Sequence, residues 1–225
     1  MVRKKRDNKD IIKRRNEQSS TNYQLDFLNA AQERAFQAYK QNDILIILGP
    51  AGSGKTHLAT AFAIHDILQK IKKRVIITRP TIECGNSLGY LKGYVEDKLG
   101  PFLEPIHDCL SRITGGRPSD LEKIQSVIEM IPLQLSRGRT WHDACYVLDE
   151  AQNCTYDQLK LAVTRIAQST KMIITADPNQ TDLGFKSPIV DFVSKISDIP
   201  GIAVVKFTNK EIVRHSLISQ ILERI

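Results

Sequence analysis

Short apolar runs without polar alternation recur along the chain, separated by stretches whose apolar residues return every three or four positions. The runs are residues 44–48, 74–78, 145–149, 171–176 and 202–207. That length, with so many β-branched residues, predicts strands whose two faces are both covered. Helical spacing precedes the first run in Leu25, Leu28, Ala31, Ala35 and Tyr39, and an apolar stretch at 57–71 follows it. Thr155 with Gln158 forms a capping pair ahead of Leu159, Ala162, Val163 and Ile166. Ile218, Ile221, Leu222 and Ile225 share one face of a final helix expected over 211–225. A second capping pattern, Ser119-Asp120-Leu121-Glu122, opens a helix expected to carry Ile124, Val127, Ile128 and Ile131 until Pro132 stops it. Glycines at 85, 89, 93 and 100 mark residues 81–100 as a loop insertion, and Pro101 and Pro105 bracket a helical segment reaching about Ile113. Strands alternating with helices predict an α/β fold: one parallel sheet flanked by helices and built from βαβ units.

The first strand runs straight into Gly49-Pro50-Ala51-Gly52-Ser53-Gly54-Lys55-Thr56, which satisfies G-x-x-x-x-G-K-[ST]. Strand before and helix after are the context that makes this a phosphate-binding loop rather than a glycine-rich turn. Glycines let backbone N–H groups close around phosphate oxygens, and the new helix adds its positive end. Lys55 then reaches the β- and γ-phosphates, Thr56 ligates Mg²⁺, and His57 closes the candidate nucleotide-contacting stretch. The implied cofactors are ATP and Mg²⁺. At the end of the third strand, Asp149-Glu150 forms a Walker-B arrangement: Asp149 is the second metal residue, and Glu150 the general base for an attacking water. The fourth strand ends in Asp177-Pro178-Asn179-Gln180, which reads either as a plain turn or as a γ-phosphate sensor with Gln180 as its working amide.

Composition narrows the class. With 225 residues, 41% hydrophobic and 25% charged, the chain suits a soluble domain with a full core, and no apolar run reaches membrane-spanning length. Cys84, Cys109, Cys145 and Cys154 have no C-x-x-C pairing and no metal-ligand spacing with histidines, His57 and His65 included, so they read as reduced thiols of a cytoplasmic protein. The net charge is +7, and residues 1–15 hold eight Lys/Arg against Asp7 and Asp10. Residues 1–20 therefore read as a basic, disordered arm ahead of one domain at 21–225, and a polyanionic partner is favoured. Arg79, after the second strand, and Arg137 and Arg139, flanking Gly138, are candidate nucleic-acid contacts; the last two read equally as a solvated loop. Arg214 is the candidate arginine that completes a phosphoryl-transfer site, including that of a neighbouring subunit.

These residues together resemble the PhoH-like ATPase family. The resemblance rests on the loop 49–56, Thr78-Arg79-Pro80, Leu88-Gly89-Tyr90-Leu91, Arg137-Gly138-Arg139-Thr140, Leu148-Asp149-Glu150-Ala151-Gln152-Asn153 and Val213-Arg214-His215, spread from Gln32 to Ile225. Asn86 and Lys92 depart from its usual pattern. It implies a single RecA-like core related to superfamily 1 helicases, with Gln32 as an adenine-contacting glutamine and Gln180 as a third-motif glutamine. It resembles the short members without a PIN nuclease domain, so no RNase activity is expected. The expected function is ATP hydrolysis coupled to single-stranded nucleic acid, RNA favoured, or alternatively an ATP-dependent switch acting on a protein partner. One core and a spare arginine suggest a homo-oligomer, a hexameric ring.

Overall fold

A computed structural model describes residues 25–80, 122, 124–183 and 186–211. Six strands form one sheet: β1 (Ile44–Leu48), β2 (Arg74–Arg79), β3 (Ile128–Pro132), β4 (Ala144–Leu148), β5 (Lys171–Ala176) and β6 (Ile202–Lys206). They lie in the order β3-β2-β4-β5-β1-β6, and every pairing is parallel. Among the described residues the helices are α1 (Ala30–Gln41), α2 (Lys55–Leu68), α3 (Tyr156–Val163) and α4 (Ile189–Ile196). Successive strand residues point to opposite faces. Leu45 and Ile47 therefore pack with Ala35, Tyr39, Leu58 and Phe62 under α1 and α2. Ile44, Ile46 and Leu48 join Leu159, Ile189 and Phe192 under α3 and α4 on the other face. An unbroken apolar run is thus what a strand between two helical layers requires.

The predicted elements that fall within the described residues hold with shifted ends and two substantive corrections. α1 begins at Ala30, where Asn29 caps it, so Leu25 and Leu28 precede the helix and Leu28 is 71% exposed. α2 starts at Lys55 and stops at Leu68, before the positive φ of Lys70. The helix expected through Ile131 is the first correction. Helical backbone reaches Gln125, a turn follows, and residues 128–132 form the edge strand β3, with Val75 paired to Ile128 and Arg79 to Pro132. Spacings of three and four among Ile124, Val127, Ile128 and Ile131 satisfy a helix, but pairing to β2 decides otherwise, and an edge strand tolerates the proline. The second correction is α4. No element is expected between the fourth and fifth strands, yet Ile189, Phe192 and Val193 are buried on one side of this eight-residue helix. Within the described residues Glu211 ends a 3₁₀ turn, while the expected arm, the 81–100 insertion, the segment to Ile113 and the rest of the last helix lie outside them.

Polar groups tie the helical layer to the sheet edge away from the phosphate loop. The Tyr39 hydroxyl donates to Asp66 Oδ2 at 2.6 Å and lies 3.3 Å from Cys145 Sγ. Lys171 Nζ donates to the carbonyls of Tyr39, Lys40 and Asn42, closing the carbonyl end of α1 with a positive charge. Burial pushes the thiols of Cys145 and Cys154 and the Tyr146 hydroxyl up to about 12, and raises Tyr39 well above the usual tyrosine range. From an ordinary thiol value of 9.0 up to about 12, the folded chain keeps protons that the unfolded chain releases. The unfolded state then binds fewer protons, so stability falls as pH rises through that window. Calorimetry should show the melting temperature dropping between pH ~9 and ~12. Near neutrality, native Cys145 and Cys154 should stay unlabelled by a thiol reagent, as mass spectrometry would read, and react once denaturant is added.

Candidate active site

β1 delivers the chain to the phosphate loop between two neighbours. Gly49 N–H donates to Ala176 O of β5 at 3.1 Å, and Phe207 N–H to Leu48 O at 2.7 Å beside β6. A Cβ on Gly49 would lie 2.7 Å from Phe207 Cβ and 3.2 Å from its carbonyl oxygen, so glycine is the residue that fits. Gly49→Ala should cost about 1–3 kcal/mol through overpacking and push the loop away from β6. A chemical-denaturation midpoint equal to wild type would show that the contact relaxes freely. Gly52 and Gly54 take φ of 79° and 80°, the left-handed conformation that turns successive N–H groups inward. The Ser53 hydroxyl donates to Pro50 O at 2.8 Å, and Lys55 Nζ to the carbonyls of Gly49 and Pro50, each at 2.8 Å. The lysine therefore already lies folded over the loop. Gln32, 4% exposed, uses Oε1 to accept from Leu28 N–H at 2.8 Å, while its Nε2 stands 3.9 Å from where a Gly54 Cβ would be. It helps cap α1 and borders the loop at once.

β4 places Asp149 across from Thr56, with β5 between the strands that carry them. Asp149 is 1% exposed; its Oδ1 accepts from the Thr56 hydroxyl at 2.8 Å and from the Thr175 hydroxyl. Its Oδ2 accepts from Arg79, through Nε at 2.8 Å and through Nη2 at 2.5 Å. A hydroxyl and a carboxylate this close are the hard oxygen donors that suit Mg²⁺, which binds through one or two carboxylates together with phosphates. Among the described residues no group of three His, Cys, Asp or Glu stands together, so a dedicated protein cage is absent there. Glu150 adopts φ 57°, ψ 38°, which turns the chain sharply off the strand. Gln152 Nε2 holds Glu150 Oε2 at 2.5 Å, while Gln152 Oε1 accepts from Asp177 N–H at 2.9 Å. This buried amide joins the candidate base to the end of β5. Gln152 has no role assigned from the Leu148–Asn153 motif, and its place two residues after Glu150 is the sequence signal for this contact.

A model of a family described as PhoH-like protein matches residues 24–225. The chain belongs to the PhoH-like family. The PhoH-like protein of Bacillus subtilis (strain 168) is 40% identical over 194 residues, 85% of this chain and 61% of that protein. The one from Mycobacterium tuberculosis (strain ATCC 25618 / H37Rv) is 41% identical over 196 residues, 85% of this chain and 55% of that protein. The chain thus spans less than two thirds of the relatives it matches. Among solved structures, the large terminase of a thermophilic bacteriophage superposes with a TM-score of 0.60 at 10% identity, covering 88% of this chain and 50% of that one. That likeness establishes the P-loop fold. No described helix is long and apolar enough to cross a membrane.

The remaining candidates of this PhoH-like chain are dispersed. Arg79 lies on Asp149, the carboxylate that also bonds Thr56 of the 49–56 loop. Arg139 lies with its guanidinium carbon 4.2 Å from the Trp141 ring centroid and pairs with Glu129 Oε1 at 2.6 Å. Arg137 is exposed beside Gly138, whose φ is 76°. Gln180 is exposed, and its N–H donates to Asp177 O at 3.1 Å, closing a turn after β5. Ala51 and His57 are half-buried, in the loop and the first turn of α2. Arg214 lies outside the described residues.

Proposed function

We propose that this PhoH-like chain binds ATP with Mg²⁺ at residues 49–56 and hydrolyses it, coupled to movement along single-stranded nucleic acid, RNA favoured. The observation that carries the ATPase reading is the meeting of Lys55, Thr56, Asp149 and Glu150 at one carboxyl edge of a parallel sheet, where such sheets take their ligands. Lys55 exchanges the Gly49 and Pro50 carbonyls for β- and γ-phosphate oxygens. Thr56 and Asp149 would hold a magnesium ion, which would neutralise charge gathering on the phosphates. Glu150 orients a water and takes its proton as the water oxygen bonds to the γ-phosphorus. The bond to the bridging oxygen breaks, ADP leaves with that electron pair, and Glu150 returns its proton to solvent.

The nucleic-acid half rests on charge: the +7 excess, eight basic residues within 1–15, and exposed Arg137 beside a pliable glycine. A ring in which Arg214 reaches a neighbour's nucleotide, a hexamer by preference, is the assembly we propose for a chain with one core. Steady-state ATP turnover with and without single-stranded RNA and DNA tests the whole reading. Stimulation by one polymer that weakens with added salt supports a motor and identifies its track. Turnover indifferent to both polymers removes the motor and points to a switch acting on a protein partner.

A further inference from the structure

Every acceptor direction of the Asp149 carboxylate is occupied. Thr56 and Thr175 hydroxyls fill Oδ1, and both Nε and Nη2 of Arg79 converge on Oδ2. The arginine arrives there by topology: β2 is the hydrogen-bonded neighbour of β4, Thr78 pairs with Leu148, and Asp149 N–H donates to Thr78 O at 2.9 Å. Residues 79 and 149 therefore leave the sheet side by side. A carboxylate that is 1% exposed requires a counter-charge, and the guanidinium supplies it. The same carboxylate, with Thr56, is the donor pair that a divalent cation needs. One buried carboxylate this tightly bound does not hold an arginine and a metal-bound water shell on the same oxygens.

We propose that Arg79 is an exchangeable internal counter-ion: it holds Asp149 while the site is empty of nucleotide and yields that carboxylate to the divalent cation. The proposal rests on the reading of residues 49–56 as the nucleotide site. Two consequences follow. The nucleotide-free chain discriminates against metal alone, because the cation must displace an ion pair in which two guanidinium nitrogens hold one carboxylate oxygen. Metal and nucleotide instead reinforce each other, since phosphate oxygens at the same sheet edge offer the displaced guanidinium a new anionic partner. Arginine suits this exchange because it stays charged throughout and its planar fork matches carboxylate and phosphate oxygens alike. Arg79 thus acts as a positioning residue that gates when Asp149 becomes a metal ligand.

Mn²⁺, which takes the same oxygen donors as Mg²⁺, is the probe. Its affinity for the full, nucleotide-free chain is read from the electron paramagnetic resonance signal of the free ion. Wild type should take up Mn²⁺ only weakly, whereas Arg79→Ala and Arg79→Gln should bind it about tenfold tighter or more. Arg79→Lys, which keeps the charge, should remain closer to wild type than either. Thermal melting adds a second readout: Arg79→Gln should melt lower than wild type without metal and recover with Mn²⁺, while wild type barely responds. Equal Mn²⁺ affinity in wild type and Arg79→Gln overturns the proposal. So does tight Mn²⁺ uptake by wild type without nucleotide, a result that needs no variant to fold. Binding of a fluorescent ADP to wild type is measured separately. If it fails at every Mn²⁺ concentration the nucleotide reading falls, while the nucleotide-free Mn²⁺ comparison still decides the exchange.

Discussion

Glu150→Gln should lower ATP turnover by about a hundredfold or more while leaving ATP binding in place, the loss expected when a positioned general base is removed. The substitution keeps the size and planarity of the side chain and removes only its capacity to accept a proton. Its surroundings favour a clean result. Glu150 is half-buried and leaves β4 through a left-handed turn at φ 57°. Gln152, anchored to Asp177 N–H, holds one of its oxygens at 2.5 Å. A glutamine at position 150 can still meet the Gln152 amide through its own carbonyl, so the turn should survive. Binding of a fluorescent ATP analogue, measured beside single-turnover hydrolysis, separates the two effects. Slow hydrolysis with unchanged affinity assigns the proton to Glu150. Turnover within a factor of about two of wild type is too small a loss for a general base and would remove Glu150 from that role.

The largest effect on stability is expected from Trp141→Ala, at about 3–5 kcal/mol. Trp141 is 2% exposed, and its ring lies 6.3 Å from that of Tyr146, centroid to centroid. Its backbone also ties the strip ahead of β4 to the end of α3. Trp141 N–H donates to Arg165 O at 2.8 Å, and its carbonyl accepts from Ala167 N–H at 3.0 Å and from the Thr170 hydroxyl at 2.5 Å. With so many anchors the strip cannot collapse into the space an alanine leaves, so the cavity term adds to the lost burial. Arg139→Ala supplies the contrast. Its pair with Glu129 is about 40% exposed on both sides, which is worth ~0–1 kcal/mol. Urea unfolding of the two variants measures the difference. A Trp141→Ala cost below about 1 kcal/mol would mean the site repacks and the rigid-strip account is wrong.

The parts legible in the sequence are those whose cause is local. Gly52 and Gly54 are needed where the backbone takes a positive φ. Thr155 and Gln158 satisfy each other's backbone groups at the start of α3. Uninterrupted apolar runs mark strands covered on both faces, and all five that the pattern shows are strands in the structure. Lys55, Thr56, Asp149 and Glu150 follow from the same local logic, because each sits at a set distance from a strand end.

Contacts between distant segments belong to the tertiary structure alone. Whether residues 128–132 are helix or strand turns on hydrogen bonds to β2, some fifty residues earlier, which no spacing of Ile124, Val127, Ile128 and Ile131 encodes. Arg79 reads from the sequence as a nucleic-acid contact; only the pairing of β2 with β4 sets it against Asp149. Gln152 gains its second partner because β5 lies beside β4 and brings Asp177 within reach. Five of the six strands and the glycine loop at 49–56 are written locally in the sequence, since backbone conformation and capping are settled among near neighbours. Strand order decided which charges meet at that edge, since a buried carboxylate takes its counter-charge from whatever residue the packing brings beside it.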